Sequence, residues 1–193
     1  YSVAVSSCTA AMHLFYFTNN IGKGDEVIVP SQTHLATVHA VELTGAKPIF
    51  VDAEIKTGNI NVDQIEKKIT KKTKAIIIVS LYGLPCDMGS IMKLSRKYKI
   101  PVIEDHAQTV LAKVKNKTVG VSGDFASWSF ETSKHISSGE GGILLTNKKT
   151  LAERARKISG QGYANLNSDG GEIKFGNNKK FLTPSFARHD TLG

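Results

Sequence analysis

Three short segments carry residues whose types could do chemistry. Lys134 lies in "SFETSKHISSGEGG" (129–142), Asp105 ends the apolar run "VIED" (102–105), and "VSSCT" (5–9) leads into a helix-like stretch. In an open α/β sheet, ligands bind beyond the carboxyl ends of the strands. We therefore expect these three segments to meet at one site.

Each segment has an ordinary interpretation beside the chemical one. Ser7 and Thr9 are typical helix N-caps, although the first amides of a helix also suit a phosphate. A buried carboxylate such as Asp105 needs compensation, so a structural pair with Arg or Lys competes with a functional role. Lys134 is either a surface lysine or, in a partly dehydrated cleft, a nucleophilic amine able to form a Schiff base.

Taken together, the three segments favour the chemical interpretation. A phosphate cradle, an acid that can hold a pyridinium nitrogen and a lysine that can form an imine are what proteins supply to pyridoxal 5′-phosphate (PLP). They also follow one another in a sensible order on one predicted sheet. The residues therefore predict a PLP site in which Lys134 and Asp105 are catalytic.

Alternating strand-like and helix-like segments must position these residues. The strand candidates are "EVIVP" (26–30), "KPIFVD" (47–52), "KAIIIVSLYG" (74–83), "IPVIED" (100–105), "DFASWSF" (124–130) and "GGILLTN" (141–147). The helix candidates are residues 9–20, 33–45, 61–69, 87–99 and 148–159. The first four strands are continuous in Val and Ile, which predicts burial on both faces. The pattern predicts an α/β fold with a mostly parallel sheet flanked by helices.

The composition narrows the class of protein. The chain has 193 residues, is 40% hydrophobic and 22% charged, and contains two cysteines. It has no apolar run of the roughly 18 residues needed to cross a bilayer. These features predict a cytoplasmic protein without a membrane partner. The formal net charge is +8, but the lysines are scattered without interleaved aromatic residues, so we expect no nucleic-acid partner.

The chain divides at about residue 160. Residues 1–160 are predicted to form the large α/β domain, and residues 161–193 a Gly- and Asn-rich loop leading toward a C-terminal domain that this sequence lacks. The sequence starts at Tyr1 and is already apolar at Val3, so we expect it to be part of a longer protein, cut at both ends.

Several longer segments resemble the DegT/DnrJ/EryC1/StrS family, from about Val3 to Gln161. The resemblance is carried by "GDEVIVPSQTHLATVHAVELTGAKPIFVD", "TKAIIIVSLYGLPCDM", "VIEDHAQ", "VGVSGDFASWSF" and "SKHISSGEGGILLTN". Members of this family are PLP-dependent aminotransferases that act mostly on nucleotide-linked keto-sugars. The resemblance implies the large PLP-binding domain of a fold-type-I aminotransferase, without its N-terminal part.

The resemblance assigns the chemistry of the ring to three residues. Lys134 matches the lysine that forms the Schiff base with the cofactor and later moves the substrate proton. Asp105 matches the carboxylate that keeps the pyridine nitrogen protonated. Gln108 matches the side chain that contacts the 3-oxygen of the ring.

The resemblance also indicates which residues bind the phosphate of the cofactor and which residue stacks on its ring. Ser129, the amides of Cys8 and Thr9, and the Thr9 hydroxyl match the phosphate site. His34 stands where the family usually has an aromatic residue stacked on the ring, and an imidazole can still stack. The other histidines show no ligand spacing, so no metal site is expected; Glu140 is either a turn carboxylate or a substrate contact.

The implied activity is transfer of an amino group from glutamate or a similar donor to a nucleotide-linked keto-sugar, by a homodimer with a shared active site. Two alternatives stay open: a non-catalytic PLP-binding regulatory homologue, and a PLP-dependent sugar dehydrase. Dehydrases of the family carry histidine at the lysine position, so Lys134 favours transamination.

"SFETSKH" lacks the aromatic–proline pair often found before this lysine, a departure that bears on the substrate pocket. A dinucleotide-binding fold would need G-x-G-x-x-G where this chain has "SSCTAA".

Overall fold

This computed structural model describes residues 1–160, and strands and helices alternate from residue 2 to residue 105. The strands are β1 (Ser2–Val5), β2 (Glu26–Pro30), β3 (Lys47–Val51), β4 (Thr73–Val79), β5 (Val102–Asp105), β6 (Lys113–Val114), β7 (Lys117–Thr118), β8 (Phe125–Ser129) and β9 (Gly142–Leu145). The α-helices are α1 (Cys8–Thr18), α2 (Leu35–Glu42), α3 (Val62–Lys68), α4 (Met88–Tyr98) and α5 (Lys149–Ser159). A 3₁₀ turn, Leu81–Gly83, follows β4.

Seven strands form one sheet in the order β1-β9-β8-β5-β4-β2-β3. The run from β3 to β8 is parallel, whereas β9 is antiparallel to both β8 and β1. Strands β6 and β7 make a separate hairpin. The predicted α/β fold with a mostly parallel sheet is confirmed.

Helices cover both faces of the sheet. Val27 and Val29 of β2 belong to the core beneath α1, α2 and α5, together with Phe15, which is fully buried. Ile28, between them, faces the opposite core, with Ile65 of α3. Successive side chains of a strand point to opposite faces, so a buried central strand needs apolar residues at every position. The continuous Val and Ile runs of β2, β4 and β5 therefore reflect a three-layer fold.

Burial on both faces was the wrong prediction for β3. This strand is at the edge of the described sheet, where Lys47 is exposed and Phe50 is 48% exposed. Its apolar run is as dense as that of its neighbour, but only β2 pairs with it among the described strands. Position in the sheet, and not composition, determines this difference.

Polar N-cap residues start four of the five α-helices, α1 and α3 among them. Ser7 caps α1, and its Oγ accepts from the Ala10 amide at 3.1 Å. Asn61 caps α3 in the same way, with its Oδ1 accepting from the Asp63 amide at 3.1 Å. These bonds satisfy amides that have no acceptor inside their own helix.

None of the helices within residues 1–160 has the length and apolar content that crossing a membrane requires. The predicted Gly- and Asn-rich loop, residues 161–193, lies outside the described residues.

Candidate active site

A cavity of about 500 Å³ opens where the parallel strands β4, β5 and β8 end. Its wall contains all seven residues selected from the sequence: Cys8, Thr9, His34, Asp105, Gln108, Ser129 and Lys134. A larger depression, of about 820 Å³, lies between β1, α1 and α5 and contains none of them. The seven candidate residues for chemistry therefore meet at the smaller cavity.

Asp105 ends β5 and is 3% exposed, with neutral donors around it. Its Oδ1 accepts from the Ala107 amide at 3.0 Å and from the Cys8 thiol at 3.6 Å. Its Oδ2 accepts from Thr37 Oγ1 at 3.0 Å. No lysine or arginine of the described residues forms an ion pair with it. Within residues 1–160 Asp105 therefore forms no structural pair with Arg or Lys, and this buried carboxylate has no counter-ion among them.

The negative charge of Asp105 helps to raise the pKa of two neighbouring side chains, Cys8 and Tyr16. Burial first, and then the charge of Asp105, raises the pKa of the Cys8 thiol well above its usual value. The same two causes raise the pKa of Tyr16, which is fully buried. Both groups stay neutral because a second negative charge here would be unfavourable. A cation that enters the cavity would meet the opposite, attractive interaction.

Lys134 lies half-buried on the loop between β8 and β9. Its amide donates to the Glu131 carbonyl at 3.0 Å, and the Ser138 amide donates to the Phe130 carbonyl at 2.9 Å. These bonds hold the loop in a compact turn. Lys134 and Asp105 both line the cavity.

Glu131 is a carboxylate in the cavity wall that the sequence reasoning passed over. Hydrogen bonds from the hydroxyl groups of Ser133, at 2.5 Å, and Thr132 lower the pKa of Glu131 to about 2. Glu131 is therefore ionised near neutral pH, three positions before Lys134. The only signal in the sequence was the departure of "SFETSKH" from the family pattern.

The amino terminus of α1 forms another part of the wall. Since Ser7 acts as the N-cap of this helix, its hydroxyl is used within the protein. Cys8 and Thr9 occupy the first two helical positions, where amides have no acceptor within the helix. Such amides, with the partial positive charge of the helix end, can bind an anion.

Gly142 permits the close contact between β9 and this helix end. A Cβ atom at Gly142 would lie 2.3 Å from the Ser7 carbonyl carbon and 2.6 Å from the Cys8 amide nitrogen. No side chain fits such distances, so only glycine allows this approach. The turn before β9 thus determines where α1 begins relative to the Lys134 loop.

Backbone contacts orient Gln108 and His34. The Tyr82 amide donates to Gln108 Oε1 at 2.8 Å, which leaves Nε2 of Gln108 as the donor. The exposed His34 caps α2, and its Nδ1 accepts from the Ala36 amide at 3.1 Å. An acceptor nitrogen carries no proton, so the proton of the neutral ring is on Nε2.

Glu104 and His106 flank Asp105 in the sequence, but their side chains contact residues outside the cavity wall, Gly123 and Trp128. Glu104 is 1% exposed and accepts from the His106 ring at 3.0 Å and from the Gly123 amide at 2.6 Å. Burial would raise the pKa of Glu104, but these bonds lower it on balance. His106 is 2% exposed and packs on Trp128, with ring centroids 5.1 Å apart. His106 is therefore a packed histidine, as the alternation along the strand predicts.

The chemistry of the residues around the cavity fits PLP. No group of three or more potential metal-binding side chains occurs in the part of the chain that the structure describes. A protonated pyridine nitrogen would supply the counter-ion that Asp105 lacks, and a phosphate suits the amides at the start of α1. The amine of Lys134 suits an aldehyde.

This sheet, with a cavity at the carboxyl ends of its parallel strands, is that of the large domain of fold-type-I aminotransferases. The family model of the DegT/DnrJ/EryC1/StrS aminotransferase family matches residues 1–183, and the chain belongs to this family. Aminotransferases of the family depend on PLP.

Relatives with names and structures are similar over most of this chain. GDP-perosamine synthase from Escherichia coli O157:H7 is 48% identical over 164 residues, which are 85% of this chain and 45% of that protein. The structure of an aminotransferase from Psychrobacter cryohalolentis is 36% identical with a TM-score of 0.86, covering 97% of this chain and 47% of that one. The structure of ntda from Bacillus subtilis, with bound cofactor PMP, is 34% identical with a TM-score of 0.80, covering 91% and 40%. The chain thus spans about half the length of these relatives.

Proposed function

We propose that this protein is a PLP-dependent aminotransferase that moves an amino group from glutamate, or a similar donor, to a nucleotide-linked keto-sugar. One observation carries the proposal: Asp105 is a buried carboxylate without a counter-ion among the described residues, and it lines the same cavity as Lys134. A carboxylate in this state favours a positively charged ring nitrogen.

Each part of the cofactor would have a partner in the cavity. Asp105 would hold the ring nitrogen, and Gln108 Nε2 would donate to the 3-oxygen. The Cys8 and Thr9 amides, with the hydroxyls of Thr9 and Ser129, would bind the phosphate. His34, held by its capping bond, would lie against the ring. When bound, PLP supplies an electron sink that makes a proton on the amine-bearing carbon acidic.

Lys134 would then move protons. Its Nζ would hold the aldehyde of the cofactor until a donor amine replaced it. The free amine would then be placed to accept the proton from the amine-bearing carbon of the donor, and later to return a proton to the sugar carbon that receives the nitrogen. A positioned base of this kind contributes roughly 10²–10⁴-fold in rate.

The substrate class is supported by the relatives. GDP-perosamine synthase is named for a nucleotide-linked aminosugar. The walls of the cavity contain the carboxylates of Glu131 and Glu140, and carboxylates accept hydrogen bonds from hydroxyl groups such as those of a sugar. A panel of nucleotide keto-sugars, offered to the intact protein with glutamate, would identify the sugar and the donor. The homodimer with a shared site and the cytoplasmic location stay predictions from the sequence.

Replacing Lys134 tests the proposal directly. We expect Lys134→Ala to lower turnover at least 10²-fold and to remove the visible absorbance that the lysine-bound cofactor gives to the intact protein. His135→Ala is the matched control, since His135 is the exposed next residue and has no assigned role. Wild-type turnover by Lys134→Ala would contradict the mechanism. A wild-type protein that binds PLP but does not lose this absorbance with any amino donor would instead be a non-catalytic homologue.

A further inference from the structure

Thr37 uses its hydroxyl group differently from Thr18, which is also a helical threonine that is 1% exposed. Thr18 Oγ1 donates to the Leu14 carbonyl at 2.7 Å, one turn earlier in its own helix. This is a common bond for a helical threonine. Thr37 instead donates to Asp105 Oδ2 at 3.0 Å, on a different element. Its hydroxyl therefore acts on the candidate active site.

The hydroxyl groups of Thr33 and Thr37 form a directed chain that ends on Asp105. Their oxygens are 2.8 Å apart, and by distance alone either could donate to the other. An ionised carboxylate accepts hydrogen bonds but cannot donate, so the single hydroxyl proton of Thr37 points to Asp105. Thr37 Oγ1 then accepts a hydrogen bond from the hydroxyl of Thr33, which also lines the cavity.

The acceptor sites of Asp105 differ between its two oxygens. Each carboxylate oxygen offers about two acceptor sites. Oδ1 accepts from the Ala107 amide and the Cys8 thiol, so both of its sites are occupied. Oδ2 accepts from Thr37, so one of its sites is open among the contacts of the described residues.

We propose that Oδ2 of Asp105 takes the bond from the protonated ring nitrogen of the cofactor, and that Thr37 is the positioning residue that fixes its direction. This inference rests on the proposed function, because it presupposes a PLP ring bound to Asp105. Without the Thr37 hydroxyl, Oδ2 loses its described donor and the carboxylate can turn about its χ2 angle. Thr37 thus acts through Asp105 and not on the reacting atoms.

Binding of PLP to the apo form of the intact protein tests this role. Thr37→Val keeps the shape of the side chain and removes the donor. We expect the Kd for PLP to rise about tenfold, the scale of one hydrogen bond to a charged group. A ring nitrogen that is held less firmly loses its proton more easily, which changes the electronic state of the whole conjugated ring. The pH titration of the visible absorbance of the bound cofactor should therefore differ from that of wild type.

Conservative and matched variants distinguish a role of Thr37 in positioning Asp105 from a role in the stability of the fold. Thr37→Ser keeps the hydroxyl, so we expect its Kd for PLP to stay within about twofold of wild type. Thr18→Val removes an equally buried helical hydroxyl that has no contact with Asp105. We expect both valine variants to lower the melting temperature, and only Thr37→Val to change the Kd and the absorbance titration. Thr33→Val breaks the chain at its outer end and should give a smaller change in the same direction.

Several results would overturn the inference. These are a Thr37→Val protein with wild-type Kd and absorbance titration, the same changes in Thr18→Val, or a Thr37→Ser protein that behaves like Thr37→Val. If Thr37→Val does not fold, a Thr33→Val protein identical to wild type would overturn it. A wild-type protein that binds no PLP would overturn the proposed function as well. A third outcome would overturn this inference alone. The wild type would bind PLP and lose its visible absorbance with a donor, while Thr37→Val would have the Kd and absorbance titration of wild type.

Discussion

Cys86 is a buried thiol outside the cavity, and its ionisation is linked to folding. It is 4% exposed, and its Sγ donates to the Val79 carbonyl at 3.1 Å. Burial, and then the nearby charge of Glu104, raises the pKa of Cys86 to about 12 from an ordinary value of 9.0. The thiol is thus held in its neutral form against Val79, the last residue of β4.

Alkaline pH should destabilise the fold through Cys86. Above pH 9 this thiol loses its proton in the unfolded chain but keeps it in the folded protein. The folded state then binds more protons, so the free energy of unfolding falls as pH rises from 9 toward 12, by up to about 1.4 kcal/mol per pH unit. Urea unfolding of wild type and Cys86→Ala at pH 8 and pH 10 measures this. We expect wild type to lose more stability than the variant, and equal losses would contradict the linkage.

Asp105 and Lys134 could be predicted from the sequence because residue type and strand ends are local signals. A carboxylate after "VIE" and a lysine after "DFASWSF" are conspicuous in an apolar context. Thr37 could not be predicted as a partner of Asp105, since the two residues are 68 positions apart and meet through the packing of α2 on the sheet. The Cys8 thiol was missed for the same reason, although its amide was selected.

At the scale of elements, the period of the apolar residues predicts which segments are helices and strands but not where a strand lies in the sheet. The four Val- and Ile-rich strands look alike in the sequence, and three of them are central. β3 differs because β2 covers one of its edges and no described strand pairs with the other. The position of a strand in the sheet depends on its pairing with distant segments. A run of apolar residues carries no information about that pairing.

Gly142 links two elements of the site, so its replacement should damage cofactor binding. An alanine Cβ there would lie 2.3 Å from the Ser7 carbonyl carbon, which forces β9 and the start of α1 apart. We expect Gly142→Ala to weaken PLP binding at least tenfold, because the Cys8 and Thr9 amides lose their place beside the Lys134 loop. Titration of the apo protein with PLP measures this change.

Gly89→Ala is the control for this effect. Gly89 is in helix α4, and the nearest atom to an added Cβ is the Asp87 carboxylate oxygen, at 3.2 Å. Alanine favours a helix more than glycine, so this variant should keep wild-type affinity for PLP. A Gly142→Ala protein that binds PLP as tightly as Gly89→Ala does would show that the contact with α1 is not needed.

At the scale of the whole molecule, exposed apolar side chains beside the cavity suggest where a second copy would bind. Ile55 is fully exposed, Tyr82 is 84% exposed and Leu84 is 46% exposed. Asn59 joins their two loops, since its Nδ2 donates to the Leu84 carbonyl at 3.0 Å. The Tyr82 amide also holds Gln108, so a partner packed on this surface would be coupled to the site.

Charge on this surface should therefore weaken the predicted homodimer. We expect Ile55→Glu to shift the intact protein from dimer to monomer in sedimentation velocity, because a carboxylate is costly to bury without a partner. Val114→Glu, at an exposed position of the β6–β7 hairpin, is the control and should stay dimeric. If Ile55→Glu sediments like Val114→Glu and wild type, the subunit contact lies elsewhere.

The pairing of β1 with β9 determines when the cofactor site can exist during protein synthesis. Ser2 pairs with Leu145 and Val5 with Gly142, and β1 has no other partner among the described strands. β1 is made before β9, and it has no partner among the described strands until β9 has been made. The start of α1 can therefore be held beside the Lys134 loop only after residue 145 has emerged from the ribosome.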